Sequence, residues 1–264
     1  MLMRVVALGV RKSMLGAIAG DIIGSRYEGS TSVPGDFELF GAGCMFTDDT
    51  VCTIAVADAL LNGSPFAHNL RSFARQYPMR GYGESFHKWV TAENAPPYGS
   101  WANGAPMRVS AIGWLLNGEE DVLAAADRQA SVSHDHNEAI EASQAVALSI
   151  LLARSGGSVQ DIRDRIAKMF SYDLLTVQEE YDFDLRAKPT VERALSVTFA
   201  SNDWETSVRR AVIGGGDTDT VACISGSVAE ALYGIPNHIA MRARSYLTSH
   251  LDGVVEQFLN VTIR

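Results

Sequence analysis

Two runs of oxygen-bearing side chains, Phe46-Thr47-Asp48-Asp49-Thr50 and Gly214-Gly215-Gly216-Asp217-Thr218-Asp219-Thr220, each lead straight into a long segment with almost no charge. Residues 51–61 carry only Asp58 as a charged side chain, and residues 221–233 only Glu230. Segments that are apolar around most of a helical circumference are buried, so both read as core helices. The chain must therefore place carboxylates at the mouths of buried helices, where an uncompensated ionised carboxylate is strongly unfavourable. Helix capping is one compensation, because Asp and Thr are favoured N-cap residues and negative charge complements the helix dipole. A cap needs one oxygen, however, and each run offers several. The two acidic ends are expected to turn toward one interior cation site. Neither run supplies nitrogen or sulfur, so Mg²⁺ or Mn²⁺ is favoured over zinc, and two clusters can hold two ions.

Helical periodicity with Gly or Pro punctuation continues along the rest of the chain, without a set of alternating or β-branched strands. The pattern predicts an all-α, single-domain bundle with helices at 14–24, 48–62, 65–76, 83–91, 106–117, 119–130, 136–155, 158–169, 189–200, 203–213, 218–233 and 236–249. Small residues at helical spacing, such as Ala55 and Ala59 or Ala222, Gly226 and Ala229, are read as close-packing positions. Residues 25–46, rich in glycine between two helices, form a candidate lid, since loops of this length are usually functional. Residues 92–105 hold Tyr98 and Trp101 among turn residues, a composition suited to stacking a flat ring. Residues 171–188 are acidic and irregular.

Composition narrows the function classes. The 264 residues, 47% hydrophobic and 20% charged, describe one ordinary globular domain (residues 14–264). A net charge of −9 without a basic cluster disfavours nucleic acid as a partner. Cys44, Cys52 and Cys223, an odd count without CxxC spacing, read as buried free thiols of a reducing, cytoplasmic compartment. The apolar run after Arg4 is broken by Arg11 and Lys12, shorter than the roughly 7–15 residues of a signal segment. Residues 1–13 are therefore expected to be a disordered extension, with Met14 as the functional start. No apolar stretch reaches the roughly 18 residues of a membrane span. The chain is expected to be monomeric.

The motifs, in order, are Gly16-Ala-Ile-Ala-Gly-Asp21-Ile-Ile-Gly24-Ser-Arg-Tyr-Glu28, Phe46-Thr-Asp-Asp-Thr50, Asn103-Gly104 with Met107-Arg108-Val109, His134, and Gly215-Gly-Asp-Thr-Asp-Thr220. In this order the chain resembles the ADP-ribosylglycohydrolases, from Met14 to about Ile235. The resemblance implies an orthogonal helical bundle with a dinuclear Mg²⁺ or Mn²⁺ centre. It also implies hydrolysis of the glycosidic bond joining ADP-ribose to an acceptor, a modified protein or a small molecule. Position by position, Thr47, Asp48 and Asp49 match one ligand set, and Asp217, Asp219 and Thr220 the other. Glu28 matches a glutamate on a mobile loop that reaches the metals or the substrate. Asn103, Gly104, Met107 and His134 match positions around the ADP-ribose pocket, and Gly215 and Gly216 are expected to let backbone approach the ligand. Where the family usually reads Gly-Asn-Gly-Ser-Ala-Met-Arg, this chain has Ala102, Ala105 and Pro106, so a serine hydroxyl near the diphosphate is missing.

The chemistry follows from the residues as well. Cleavage at the anomeric carbon passes through an oxocarbenium-like state, which needs a positioned water and proton transfer by a carboxylate. Glu28, free of obligatory metal binding, is the first candidate for that role, with Asp48 or Asp49 next. Taken alone, His134 reads as structural, in a helix start capped by Asp135 or Asn137. Two other functions compete: a two-metal phosphohydrolase acting on a nucleotide diphosphate, and a non-catalytic ADP-ribose-binding relative.

Overall fold

A computed structural model describes residues 13–177 and 182–262. The expected disordered extension, residues 1–13, lies outside the described residues except for Ser13. Thirteen α-helices occupy the described residues, which contain no strand beyond an isolated bridge between Ala102 and Arg186. In chain order they are α1 (Leu15–Gly24), α2 (Asp48–Asn62), α3 (Phe66–Gln76), α4 (Glu84–Thr91), α5 (Ser110–Leu115), α6 (Glu119–Ala130) and α7 (Asn137–Arg154). Then follow α8 (Val159–Phe170), α9 (Ala187–Phe199), α10 (Trp204–Ile213), α11 (Thr218–Tyr233), α12 (Asn237–Arg244) and α13 (Ser249–Thr262). No helix among the described residues is long and apolar enough to cross a membrane.

The segments behind the acidic runs are core helices, as their lack of charge requires. α11 is buried from Thr218 through Ala231, and α2 from Asp49 through Ala57. All ten residues of α1 are buried as well, including Asp21. α1 owes this to a glycine stripe that meets α11 backbone to backbone. A Cβ placed on Gly16, Gly20 or Gly24 would stand 2.3 Å from Gly226 O, 2.0 Å from Ala222 O and 2.4 Å from Thr218 O, respectively. The partners descend as the glycines ascend, so the two helices run antiparallel at backbone contact. This register places the C-terminus of α1 beside the N-terminus of α11, where Asp217 and Asp219 lie.

The other end of the same pair is closed by Glu230. Its carboxylate accepts from Gly16 N (2.8 Å) and from the Ser13 hydroxyl, which satisfies the start of α1, a helix with no capping side chain of its own. Burial pushes the Glu230 carboxyl up to about 8. Because the folded state then holds this proton more tightly than the unfolded chain, stability contributed here is present at acidic pH and lost as pH rises from about 4.5 through about 8. Glu230→Gln should remove that slope. Thermal unfolding of both proteins across this range should show the variant gaining on the wild type as pH rises, and a constant difference would contradict the assignment.

Two departures from the periodicity stand out. The segment expected at 106–117 splits into a 3-10 turn, Pro106–Arg108, and α5. Pro106 suits the start of a turn, and the Met107 carbonyl is taken by Thr53 Oγ1 (3.3 Å) and Cys223 Sγ (3.4 Å) rather than by a continuing helix. The segment expected at 236–249 ends at Arg244, and α13 follows it. The Thr248 hydroxyl accepts from Leu251 N (3.3 Å), and Arg244 ties α12 to α13 through Asp252 (2.6 Å) and Glu256 (2.8 Å). Of the three thiols, Cys52 and Cys223 are buried and Cys44 is half-buried.

Candidate active site

The acidic runs meet at the end of α1. Asp21 projects from the last turns of α1, where neighbouring glycines allow no distance between backbones, and it organises the start of α2. Its Oδ2 accepts from Thr47 N (3.0 Å) and Thr50 N (3.1 Å), and its Oδ1 from Thr47 Oγ1 (2.7 Å). Thr47 is the N-cap of α2, accepting from Asp49 N (3.3 Å), which frees Asp48 and Asp49 from capping. Asp217 stands at the N-cap position of α11 and makes no capping bond. Its Oδ2 instead accepts from Asn103 Nδ2 (2.5 Å), and Thr220 Oγ1 donates to Asp49 Oδ2 (3.3 Å). Capping therefore accounts for Thr47 and leaves the four carboxylates of the two runs unexplained.

One oxygen from each of Asp21, Asp49 and Asp219 lies within 4.8 Å of the others, and Glu28, Asp217 and Asp219 form a second such group. Burial, and then the Asp21 carboxylate, holds Asp48 and Asp49 well above the usual carboxylate range. Burial followed by Asp217 does the same to Asp219. Asp21 is raised by burial against the opposing hydrogen bonds of Thr50 and Thr47. Asp49 Oδ1 and Thr50 Oγ1 are buried without a hydrogen-bond partner. An all-oxygen donor set with orphaned oxygens and mutual repulsion fits hard divalent cations, which would relieve both costs.

Glu28, Asp48, Asp49, Asp217, Asp219 and Thr220 line a cavity of about 500 Å³, whereas Asp21 and Thr47, whose hydroxyl donates to Asp21, are not in its lining. Glu28 is exposed on the loop after α1, with a pKa raised by partial burial and then by Asp217 and Asp21. Asn103, Gly104, Met107, His134, Tyr98 and Trp101 line the same cavity, and Trp101 is 48% exposed. The loop carrying these aromatics is clamped on two sides: Gly99 N donates to Asp135 Oδ1 (2.6 Å), and Asn103 N to Leu185 O (2.9 Å).

Several positions differ from the sequence reading. Gly215 and Gly216, with φ of +73° and +75°, do not line this cavity. The close approach they permit is to protein backbone: Gly29 N donates to Gly216 O (2.8 Å) and Gly216 N to Ser30 O (2.9 Å), joining the Glu28 loop to the Asp217 loop. α7 is capped by His136, whose Nδ1 accepts from Glu138 N (3.2 Å), rather than by Asp135 or Asn137. Asp21 was given no role from sequence, although a lone carboxylate in Gly20-Asp21-Ile22-Ile23-Gly24 signals a satisfied interior charge. Phe183 and Leu185 complete the cavity from the acidic segment before α9, where no pattern marked them.

The comparisons with known proteins bear on the family and the fold. A family model for ADP-ribosylglycohydrolase matches residues 8–263. The chain is 24% identical to ADP-ribosylhydrolase ARH3 of Danio rerio over 85% of this chain and 82% of that protein. It is 23% identical to ARH3 of Homo sapiens over 85% of each. An uncharacterized protein of Archaeoglobus fulgidus is 25% identical over 84% of this chain and 86% of its own length. A solved ADP-ribosylglycohydrolase-related protein complex has a chain of the same fold, with a TM-score of 0.78 and 22% identity, covering 95% of this chain and 96% of that one. Since the family match spans both acidic runs, the cavity loop and every described helix, this chain belongs to the ADP-ribosylglycohydrolase family, a family of ADP-ribosyl hydrolases.

Proposed function

We propose that this protein is a divalent-metal-dependent hydrolase that releases ADP-ribose from a modified acceptor by cleaving the glycosidic bond at the anomeric carbon. The observation that carries this reading is the joining, in one cavity of about 500 Å³, of an all-oxygen carboxylate centre and a lining of aromatic and polar side chains. Asp21, Asp48, Asp49, Asp217, Asp219 and Thr220 would hold two Mg²⁺ or Mn²⁺ ions, with Thr47 fixing the Asp21 carboxylate. Bound there, the ions supply a template for ribose hydroxyls and lower the pKa of water.

The chain's own residues do the rest. Asn103, Gly104, Met107 and His134 bind the ADP-ribose moiety, and Trp101 and Tyr98 offer ring faces to its base. Gly215 and Gly216 seat the Glu28 loop. Glu28 stands with Asp217 and Asp219 and has no side-chain hydrogen bond among the described residues that would immobilise it, so its carboxyl can take the proton of an attacking water at Oε and return one to the leaving acceptor. Partial burial, and then Asp217 and Asp21, raise its pKa above the ordinary glutamate value. Asp48 and Asp49 hold the reacting ribose end in register.

Product analysis tests the reaction. Incubation with a panel of ADP-ribosylated acceptors should liberate intact ADP-ribose, in a reaction stopped by excess chelator and restored by Mg²⁺ or Mn²⁺; AMP as the product would assign a phosphohydrolase instead. Glu28→Gln should lower kcat by about 10²-fold or more with little change in ADP-ribose affinity. A near wild-type kcat for that variant would move the proton-transfer role to Asp48 or Asp49.

A further inference from the structure

Arg108 is fully buried, yet no carboxylate among the described residues forms an ion pair with it. A buried cation without a counter-ion costs stability, so its placement calls for a reason other than packing. The guanidinium donates through Nε to Gln129 Oε1 (2.7 Å), and through Nη2 to Gln129 O (2.9 Å) and Ser133 Oγ (2.9 Å). Ser133 Oγ in turn lies 2.8 Å from His134 Nδ1.

Protons can be counted around that serine. Arg108 can only donate, so it occupies one lone pair of Ser133 Oγ. Ser133 is fully buried, and the side-chain partners of its Oγ among the described residues are Arg108 and His134 Nδ1. The serine hydrogen is then directed at His134 Nδ1, which must be the bare nitrogen, and the imidazole proton sits on Nε2. The reverse arrangement would leave the buried Ser133 hydrogen without an acceptor among the described residues. Nε2 has no hydrogen-bond partner among the described residues, and it borders the cavity beside Gly104. A Cβ at position 104 would stand 2.9 Å from Nε2, so only glycine leaves this nitrogen open.

We propose that Arg108 and Ser133 are positioning residues that hold His134 as a neutral imidazole, presenting its Nε2–H through the gap at Gly104 as a donor to a ligand oxygen. The electrostatics agree: burial and then the Arg108 charge hold His134 well below the ordinary imidazole range. Tyr98, packed on the ring at 5.4 Å between centroids, and Cys52 are both kept neutral by burial, while Asp135 is turned to Gly99 N. Under the proposed function the accepting oxygen belongs to ADP-ribose. That identity rests on the proposed function; the orientation of the imidazole does not.

The test is ¹⁵N NMR of the full chain labelled at histidine, with the His134 signals identified by their loss in His134→Asn. Wild-type His134 should show a bare Nδ1 and a protonated Nε2 at neutral pH. Ser133→Ala should move the Nδ1 resonance toward that of an unbonded nitrogen, a change a general packing defect would not produce. Arg108→Met should raise the proton affinity of His134 roughly tenfold or more, and Arg108→Lys should keep it low. A cationic or Nδ1-protonated His134 in the wild type would overturn the proposal, as would an unmoved Nδ1 signal in Ser133→Ala, which keeps Arg108 and guards against a misfolded Arg108→Met. Added ADP-ribose should shift Nε2 in the wild type; failure of ADP-ribose to bind, with the tautomer as described, would count against the substrate alone.

Discussion

Gly20→Val is expected to cost about 3 kcal/mol or more of folding stability, because its first side-chain carbon alone would stand 2.0 Å from the Ala222 carbonyl oxygen. Both partners are backbone, so neither can rotate away, and α1 must separate from α11. For a chain of this size that corresponds to a fall of roughly 6–12 °C in Tm. Asp21 would be displaced together with α1, so residual folded protein should also lose affinity for divalent ions. Gly253→Ala in α13 is the matched control. A Cβ there meets nothing within 4 Å, and the substitution should raise stability by about 0.5–1 kcal/mol. A Tm for Gly20→Val within a degree or two of wild type would mean that the two helices do not touch in this register.

The second large effect is on chemistry. Asp219→Ala removes the one carboxylate shared by both acidic groups. It should lower ADP-ribose release by roughly 10³-fold or more, since loss of a metal centre forfeits several kcal/mol of transition-state stabilisation. The fold should survive. In excess chelator the variant should melt at or above the wild-type temperature, because one member of a mutually repelling set is gone. In Mg²⁺ the order should reverse: the wild type gains stability by binding ions in the folded state only, and the variant does not. Calorimetric titration with Mn²⁺ checks the same point directly. Wild-type ion binding in Asp219→Ala would remove the basis for placing a metal centre at these helix ends.

The contrast between the two variants separates two demands on the same short stretch of chain. Gly16, Gly20 and Gly24 are required by a helix contact, whereas Asp21 between them is required by the site that this contact assembles. A substitution at Gly20 should therefore reduce stability and metal affinity together, and one at Asp219 should reduce metal affinity alone.

What the sequence by itself determined was local: an all-α chain, two core helices entered through acidic runs, a cavity loop bearing Tyr98 and Trp101, and a set of hard oxygen ligands. Charge-free helical segments must be buried, and carboxylates at their mouths must be compensated, whatever surrounds them. α13 is absent from the segments expected from periodicity, although Leu251, Val254, Val255 and Phe258 repeat at helical spacing and are buried, because no glycine or proline separates it from α12. Only the tertiary structure decided which carboxylates face each other. The antiparallel register of Gly16, Gly20 and Gly24 against Gly226, Ala222 and Thr218 brings Asp21 to Asp49 and Asp219, nearly two hundred residues apart in the case of Asp219. It also decided that Gly215 and Gly216 seat the Glu28 loop, that His136 rather than its neighbours caps α7, and that Arg108 is joined to His134 through Ser133. Periodicity and residue chemistry are properties of a segment, whereas these pairings depend on the distance and register between segments, which no single segment encodes.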